Sequence, residues 1–296
     1  MKTLHALIER NIKLFFKDKG LFFSALITPL ILLVLYATFL GNTYRSSFLS
    51  ALPEGFTVSD DLINGLVGGQ LISSLLAACC VTVAFCSNML MVQDKVSGAR
   101  RDLTVTPVRR SVLALGYYIA TAVSTLIIFL ITACAGFLYL AKVGWYLSAT
   151  DILLIFADVF LLVLFGTALS SIINVFLTTE GQISAVGTIV SAGYGFLCGA
   201  YMPISNFSDG LQKVLSFLPG TYGTSLLRNH AMRGVFAEMA ESGFPKEVIE
   251  GIRDSLDCNL YFFDSAVETS TMYCILGGAA VAVIAVYVLI CRWKRT

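Results

Sequence analysis

Charged side chains are scarce: Asp, Glu, Lys and Arg make up 13% of the 296 residues, about half the share of an average soluble domain. So little charge cannot cover a surface that faces water on all sides, and the mean hydropathy of +0.81 points to an integral membrane protein. Histidine occurs only twice, at His5 and His230. That disfavours a metal site built from imidazoles and a membrane protease needing a histidine base within the bilayer. None of the 8 cysteines forms a C-x-x-C pair, which removes the redox and zinc motifs built on that spacing. Cys79, Cys80, Cys86, Cys134, Cys198 and Cys274 lie in apolar runs and read as small packing residues. Cys258, in a long polar segment, has no obvious disulfide partner. No G-x-x-x-x-G-K-[ST] occurs, so ATP binding through a P-loop of this chain is excluded. The net charge of +1 gives no ground for a nucleic-acid partner.

What the chain has in quantity is apolar runs. They occur near 21–40, 63–92, 112–141, 152–177, 183–202 and 270–291, each long enough for a hydrocarbon core that takes about 20 helical residues to cross. The runs are continuous Leu, Ile, Val, Ala and Phe rather than short alternating segments, so they predict helices and not barrel strands. The expected fold class is an all-α integral membrane protein with six transmembrane helices. The first run is too long for the core of a cleavable signal and no small-residue cleavage site follows it, so it is expected to stay as a signal anchor.

Lys and Arg are retained on the cytoplasmic side of such proteins. Lys2, Arg10, Lys13, Lys17 and Lys19 precede the first run, Lys95, Arg100, Arg101, Arg109 and Arg110 lie in the loop 93–111, and Arg292, Lys294 and Arg295 end the chain. Segment 41–62 sets Arg45 against Glu54, Asp60 and Asp61, and segment 203–269 holds five basic against nine acidic residues. Both termini and the 93–111 loop are therefore predicted to be cytoplasmic, in a plasma (cytoplasmic) membrane.

Residues 1–20 have helical periodicity. Leu4, Leu7, Ile8, Ile12, Leu14, Phe15 and Phe16 share one broad arc, and Lys2, Glu9, Arg10, Lys13 and Lys17 fill the opposite one, the pattern of an amphipathic helix lying at the membrane surface. The loop 93–111 connects two spans so tightly that a push from a soluble partner would pass into the membrane. Pro107 should end a helix there and bias Thr106 to extended geometry, and Gly98 permits a bend or a close approach. A solvated topogenic loop explains the same composition.

The order of residues separates the two. Asp94-x-x-x-Gly98-Ala99-Arg100-Arg101-Asp102-Leu103-Thr104-Val105-Thr106-Pro107-Val108-x-Arg110 resembles the E-x-x-x-G-T-x-x-x-L-x-x-T-P-V-x-R pattern of ABC-2 type transporter permeases, with Ala99 where the pattern has Thr. A second stretch, GFLCGAYMPISNFSDGLQKVLSFLPGTYGTSLLR at 195–228, is similar to that family's segment after the fifth span through Pro203, Leu211, Gln212, Leu218, Pro219, Thr221, Tyr222, Leu227 and Arg228. The resemblance implies that residues 94–106 form a coupling helix seated in a cleft of a separate ATP-binding subunit. Leu103 would then be the apolar anchor, Gly98 would allow close approach, and Arg100 and Arg101 would meet acidic or phosphate-lined surface. It further implies two ATPase copies that carry ATP and Mg, a second permease copy or a paralogue, and no cofactor on this chain itself. The activity implied is outward movement of a drug-like, peptide or lipid-linked substrate by alternating access. A stand-alone channel or a membrane enzyme is the alternative, and neither a continuous polar stripe nor an in-span catalytic cluster supports it.

Residues 203–228 contain two prolines and several glycines within an apolar segment too short to cross and return as full spans. This favours a re-entrant hairpin on the outer side, with a surface loop as the alternative. A small, mostly helical cap at 229–268 would follow, then the last span and basic tail at 269–296, so that the main transmembrane body is 21–202. Inside the spans, Thr167, Ser170, Ser171 and Asn174 recur on one helix face, as helix-packing groups or as path lining. Asp158 is the one acid well inside a span and faces away from that stripe. It is either a partly hydrated group on the path or a hydrogen-bonded pin between helices.

Overall fold

The computed structural model describes residues 2–51, 58–263 and 265–293; Glu54, Lys294 and Arg295, used above for topology, lie outside them. The amphipathic start forms α1 (Lys2–Lys17), in which Lys13 pairs with Glu9 one turn earlier and holds its carboxyl below the usual range. The innermost stripe of α1, Leu7, Asn11 and Phe15, is buried, and Leu7 packs where Gly116 leaves no side chain. The helix is thus fastened to protein along its centre, and the flanks Leu4, Ile8, Ile12 and Leu14 stay half-buried.

Asp18 caps α2 (Lys19–Leu35), which passes through a π-helical turn at Tyr36–Leu40 into α3 (Gly41–Ala51). Ser59 caps α4 (Asp60–Ser87), with Asp60 and Asp61 in the first turn where a helix dipole favours acids. The long second run then breaks at Asn88 into α5 (Met89–Val96), followed by α6 (Ala99–Val105). The coupling segment expected as one helix over 94–106 is therefore two helices divided at Ser97–Gly98. Next come α7 (Arg110–Val143) and α8 (Ala149–Phe176), opened by a capping box between Ser148 and Asp151. They are followed by α9 (Glu180–Leu197), α10 (Asp209–Leu215), α11 (Pro219–Glu241), α12 (Lys246–Ser255) and α13 (Thr269–Trp293). A two-stranded antiparallel ribbon, β1 (Tyr261–Phe262) and β2 (Ser265–Ala266), precedes α13.

Among the described residues five helical stretches are long and apolar enough to cross a membrane: Lys19–Ser46, Asp60–Val96, Arg110–Val143, Ala149–Phe176 and Thr269–Trp293. The run read as the fifth of six spans, 183–202, becomes α9, 18 residues long. It is less apolar than the others because Glu180 and Gln182 open it and Gly181, Gly187, Gly193 and Gly195 interrupt it.

α4 is the axis of the bundle. It is apolar all round, touches α2, α3, α7, α8, α9 and α11, and leaves Leu75, Leu76, Cys80 and Val81 without exposure. Close approach to it needs Gly166 of α8, where an added Cβ would lie 3.0 Å from the Cys80 carbonyl oxygen. The outward faces of α2, α7, α8 and α13 expose Ile31, Val34, Leu138, Leu153, Phe160, Val281 and Leu289, a surface suited to lipid.

The segment expected to divide at 228 into hairpin and cap does not divide there. α11 continues through 228–241, and Gly243, with φ of +83°, ends it before α12. α11 lies antiparallel to α8: Gly223 packs on Leu162, His230 meets Asp158, and Arg233 meets Asp151. At Gly234 an added Cβ would lie 1.8 Å from the Tyr146 carbonyl oxygen, so only glycine fits there.

Candidate functional site

Three groups of side chains carry the chemistry. The first is α5–α6 at the end of the bundle that also holds α1. Gly98 has φ of +83° and open space where a Cβ would stand, so its role is the left-handed turn between the helices and not close approach. Thr106 is extended before Pro107 and its hydroxyl donates to the Leu103 carbonyl at 2.6 Å, which stops α6 where the proline dictates. Asp94 does not face outward. It is 5% exposed and accepts a bidentate pair from Arg10 of α1 at 2.7 and 3.1 Å. The Tyr117 hydroxyl of α7 donates to it at 2.5 Å. The carboxylate in turn raises the Arg10 guanidinium above its usual pKa.

Lys95, beside it, donates to the carbonyls of Asn174, Val175 and Leu177 at 2.7, 2.9 and 2.9 Å, capping the C-terminus of α8. The adjacent acid and base thus tie α5 to α1 and α7 on one side and to α8 on the other. Two expected contact residues turn inward. Leu103 is half-buried against the cluster of Leu113, Tyr117 and Tyr287, and one Arg100 nitrogen, Nη1, is buried beside Tyr117, Tyr287 and Cys291. Arg101, Thr106 and Pro107 are exposed. The large apolar side chain that α6 presents outward is Val105, 82% exposed.

The second group explains the Ser/Thr/Asn stripe. Asn88, at the α4–α5 break, donates to the hydroxyls of Ser170 and Ser171 at 2.9 and 3.0 Å and accepts from Thr121 at 3.2 Å. Its carbonyl takes the Asn174 amide at 3.3 Å. Thr167, Ser170 and Ser171 have no exposure and Asn174 is 1% exposed. These groups join helices, and of the expected path-lining residues Thr167 and Ser171 are fully enclosed here. Asn174 also borders a cavity of about 500 Å³ among α2, α5 and α9, whose walls include Ser24, Thr28, Ser184, Thr188 and Tyr201.

The third group lies toward the opposite end. Asp158 has no exposure. One of its oxygens meets His230 Nδ1 at 2.6 Å and the other accepts the Tyr273 hydroxyl at 2.5 Å, with the His230 and Tyr273 rings stacked. The carboxylate pins α8, α11 and α13 together, and the histidine partner was hidden because its segment reads as an exterior cap. Asp158→Asn keeps size and hydrogen bonding, so it should lower thermal stability by about 1–3 kcal/mol through the weakened buried contacts and leave the transport that the sequence resemblance implies equally unaffected for neutral and cationic substrates; selective loss of cationic substrates would make it a path residue.

Arg228, also without exposure, pairs with Asp257 at 2.9 Å and donates to the Gly199 carbonyl. Asp257 accepts the amides of Ile204 and of Ser205, the latter at 3.0 Å. One ion pair therefore clamps α11, the segment after α9 and the segment after α12. Pro203 is buried and starts a 3-10 turn, and Gln212 donates to the Phe207 carbonyl at 2.8 Å. Pro219 opens α11, and the Tyr222 hydroxyl donates to the Ser216 carbonyl at 2.6 Å. Leu211 and Leu218 are exposed, 40% and 37%. Gln212, Tyr222 and Asp257 border a second cavity, of about 400 Å³. Cys258 is 1% exposed and burial pushes its thiol up to about 12.

The family model described as ABC-2 type transporter matches residues 2–231, which contain α5–α6 and the start of α11. The chain belongs to the ABC-2 type transporter family. No curated protein matches it in a sequence search. As an ABC-2 membrane chain it is a multi-pass transport component and not itself an enzyme, and its family typically works with an ATP-binding subunit. Among the described residues no group of three or more His, Cys, Asp or Glu could hold a metal ion.

Proposed function

We propose that this ABC-2 chain is the permease subunit of an ATP-driven exporter in the plasma membrane. Two copies, or this chain with a paralogue, work with two ATPase subunits that carry ATP and Mg. The observation that carries this reading is α5–α6: a short exposed element whose other faces are bonded to α1, α7 and α8, so that a displacement imposed on Val105 and Arg101 moves three helices together. An element held that way transmits motion; a merely solvated loop needs none of these bonds. In this reading Asp94 is an internal strut, Val105 replaces Leu103 as the apolar anchor, and α1 lies at the cytoplasmic surface against anionic lipid.

The path follows from the two cavities. In this reading the one among α2, α5 and α9 lies in the cytoplasmic half and the other in the outer half; the 199–204 segment, held by Arg228 and Asp257, borders the first through Tyr201 and the second through Ile204 and would divide them. Exchange between the two is a rigid-body switch of the kind packed bundles allow. α9 completes the six spans; its Gly187 borders the first of these cavities, and Gly193, with open space beside it, faces the second permease. Since α11 runs antiparallel to α8 and Gly223 is level with Leu162, eleven residues beyond Asp151, Gly223 lies about 16 Å below the outer boundary and Pro219, where α11 begins, about 6 Å deeper. Both depths fall inside a core about 30 Å thick, so α10 and α11 form a re-entrant hairpin. A drug-like, peptide or lipid-linked substrate moving outward fits such a path.

Accessibility tests the reading. The buried Cys258 is a poor reporter, so a cysteine is placed at exposed positions. Lys246→Cys should react with a membrane-impermeant maleimide in intact cells, and Arg101→Cys only after permeabilisation. Labelling of position 101 in intact cells would put α6 out of reach of any cytoplasmic ATPase.

A further inference from the structure

The outer cavity has a chemistry that the permease reading leaves unused. It holds about 400 Å³, the size of a small-molecule site. The residues lining it combine the acids Asp209 on α10 and Asp254 on α12 with the aromatics Tyr222, Tyr261 and Phe263. Asp254 accepts hydrogen bonds from Asn259 and Tyr261 at 2.9 and 3.1 Å, and neither it nor Asp209 is in an ion pair among the described residues. The neighbouring arginines are committed elsewhere, Arg228 to Asp257 and Arg253 to Glu250. One cation does enter: the Lys213 ammonium stands 5.8 Å from the centre of the Phe263 ring, the position a ligand cation takes over an aromatic face. Phe217 and Phe262 pack edge-on around Phe263, which fixes the ring and gives the cavity an apolar rim.

We infer that this cavity is a binding site for a hydrophobic organic cation, and that the Lys213 ammonium is a tethered occupant that a ligand cation displaces from Phe263. The inference rests on the permease reading for its place on the path and names the substrate class of that path's outer half. Acidic walls attract the charge, the ring faces hold the cation once it is desolvated, and the phenylalanine rim accepts its apolar substituents. Displaced Lys213 is left beside Asp209, four residues earlier on α10, the spacing at which opposite charges on a helix attract.

The test uses the full chain, without an ATPase, in lipid nanodiscs, with tetraphenylphosphonium and tetraphenylborate as probes of equal shape and opposite charge. Phosphonium should bind at least about tenfold more tightly than borate, a 1.4 kcal/mol preference. Lys213→Gln should tighten phosphonium binding about threefold, the scale of an exposed cation–π contact. Asp209→Asn with Asp254→Asn should weaken it about tenfold and leave borate no weaker. All three positions are exposed, and an unchanged melting temperature certifies each variant. Equal binding of the two ions, or phosphonium binding indifferent to Lys213→Gln and to the double variant, overturns the inference. Binding with these dependences in a chain that couples to no ATPase would instead leave the site standing and remove the permease reading.

Discussion

Arg228→Met is expected to be the most damaging single substitution in the chain, costing about 3–5 kcal/mol of stability, because it leaves the Asp257 carboxylate buried without its cation. Both side chains are almost fully enclosed, 1% and 5% exposed, and the arginine also satisfies the Gly199 carbonyl. The loss should appear as a large fall in melting temperature of the detergent-solubilised protein. Asp257→Asn added to Arg228→Met should recover part of it, since the neutral amide no longer needs a countercharge, although it still loses acceptors for the Ile204 and Ser205 amides. A single variant that melts within a degree of the parent would mean that the clamp between α11 and the 199–204 segment contributes nothing, and the division between the two cavities would lose its basis.

Val105→Asp should have the largest effect on activity with almost none on folding. At 82% exposure the position tolerates a charge within about 0.5 kcal/mol. Seated in an apolar cleft of an ATPase, the same carboxylate would be an unpaired buried charge worth about 3 kcal/mol or more, and ATP-driven transport should fall on the order of 100-fold. Leu103→Asp should behave differently. Leu103 is packed against the buried cluster that includes Leu113, Tyr117 and Tyr287, so its replacement should lower folded yield before any question of coupling arises. Transport at the parental level by well-folded Val105→Asp would remove α6 as the docking element.

The long apolar runs fixed the class of the molecule, because no other fold disposes of so many uncharged residues in a row, and the periodicity of residues 1–20 was enough to predict that α1 is a helix. Pro107 and Gly98 announced the end and the bend of α5–α6 through backbone rules that need no neighbours. The side-chain directions of that loop were not legible. Asp94 looks like a solvated acid until Arg10, 84 residues away, is seen against it. Nor does a seven-residue helix say which of Leu103 and Val105 faces in.

The same physics hid α11. The polar string Arg228, Asn229, His230 and Arg233 reads as an exit from the membrane, yet three of these side chains meet an acid elsewhere in the fold: Arg228 meets Asp257, 29 residues on, His230 meets Asp158, 72 residues back, and Arg233 meets Asp151. Polarity in a membrane chain locates water only when partners are absent, and partners at such separations leave no trace in a single sequence. The Ser/Thr/Asn stripe on α8 points the same way. Asn88 sits unmarked in a continuous apolar run, but it turns Ser170, Ser171 and Asn174 from a candidate path into a helix junction.

In the proposed reading this ABC-2 chain is a permease driven through α5–α6 by a separate ATPase. The most direct measurement is affinity purification of the tagged chain from native membranes in mild detergent, with ATP hydrolysis assayed in the eluate. The expected result is a co-purifying ATP-binding subunit and vanadate-sensitive hydrolysis, both lost with Val105→Asp while the permease itself elutes in full amount. A well-folded chain that elutes with no ATP-binding subunit and no hydrolysis, or one whose ATPase stays bound and coupled with Val105→Asp, would contradict it.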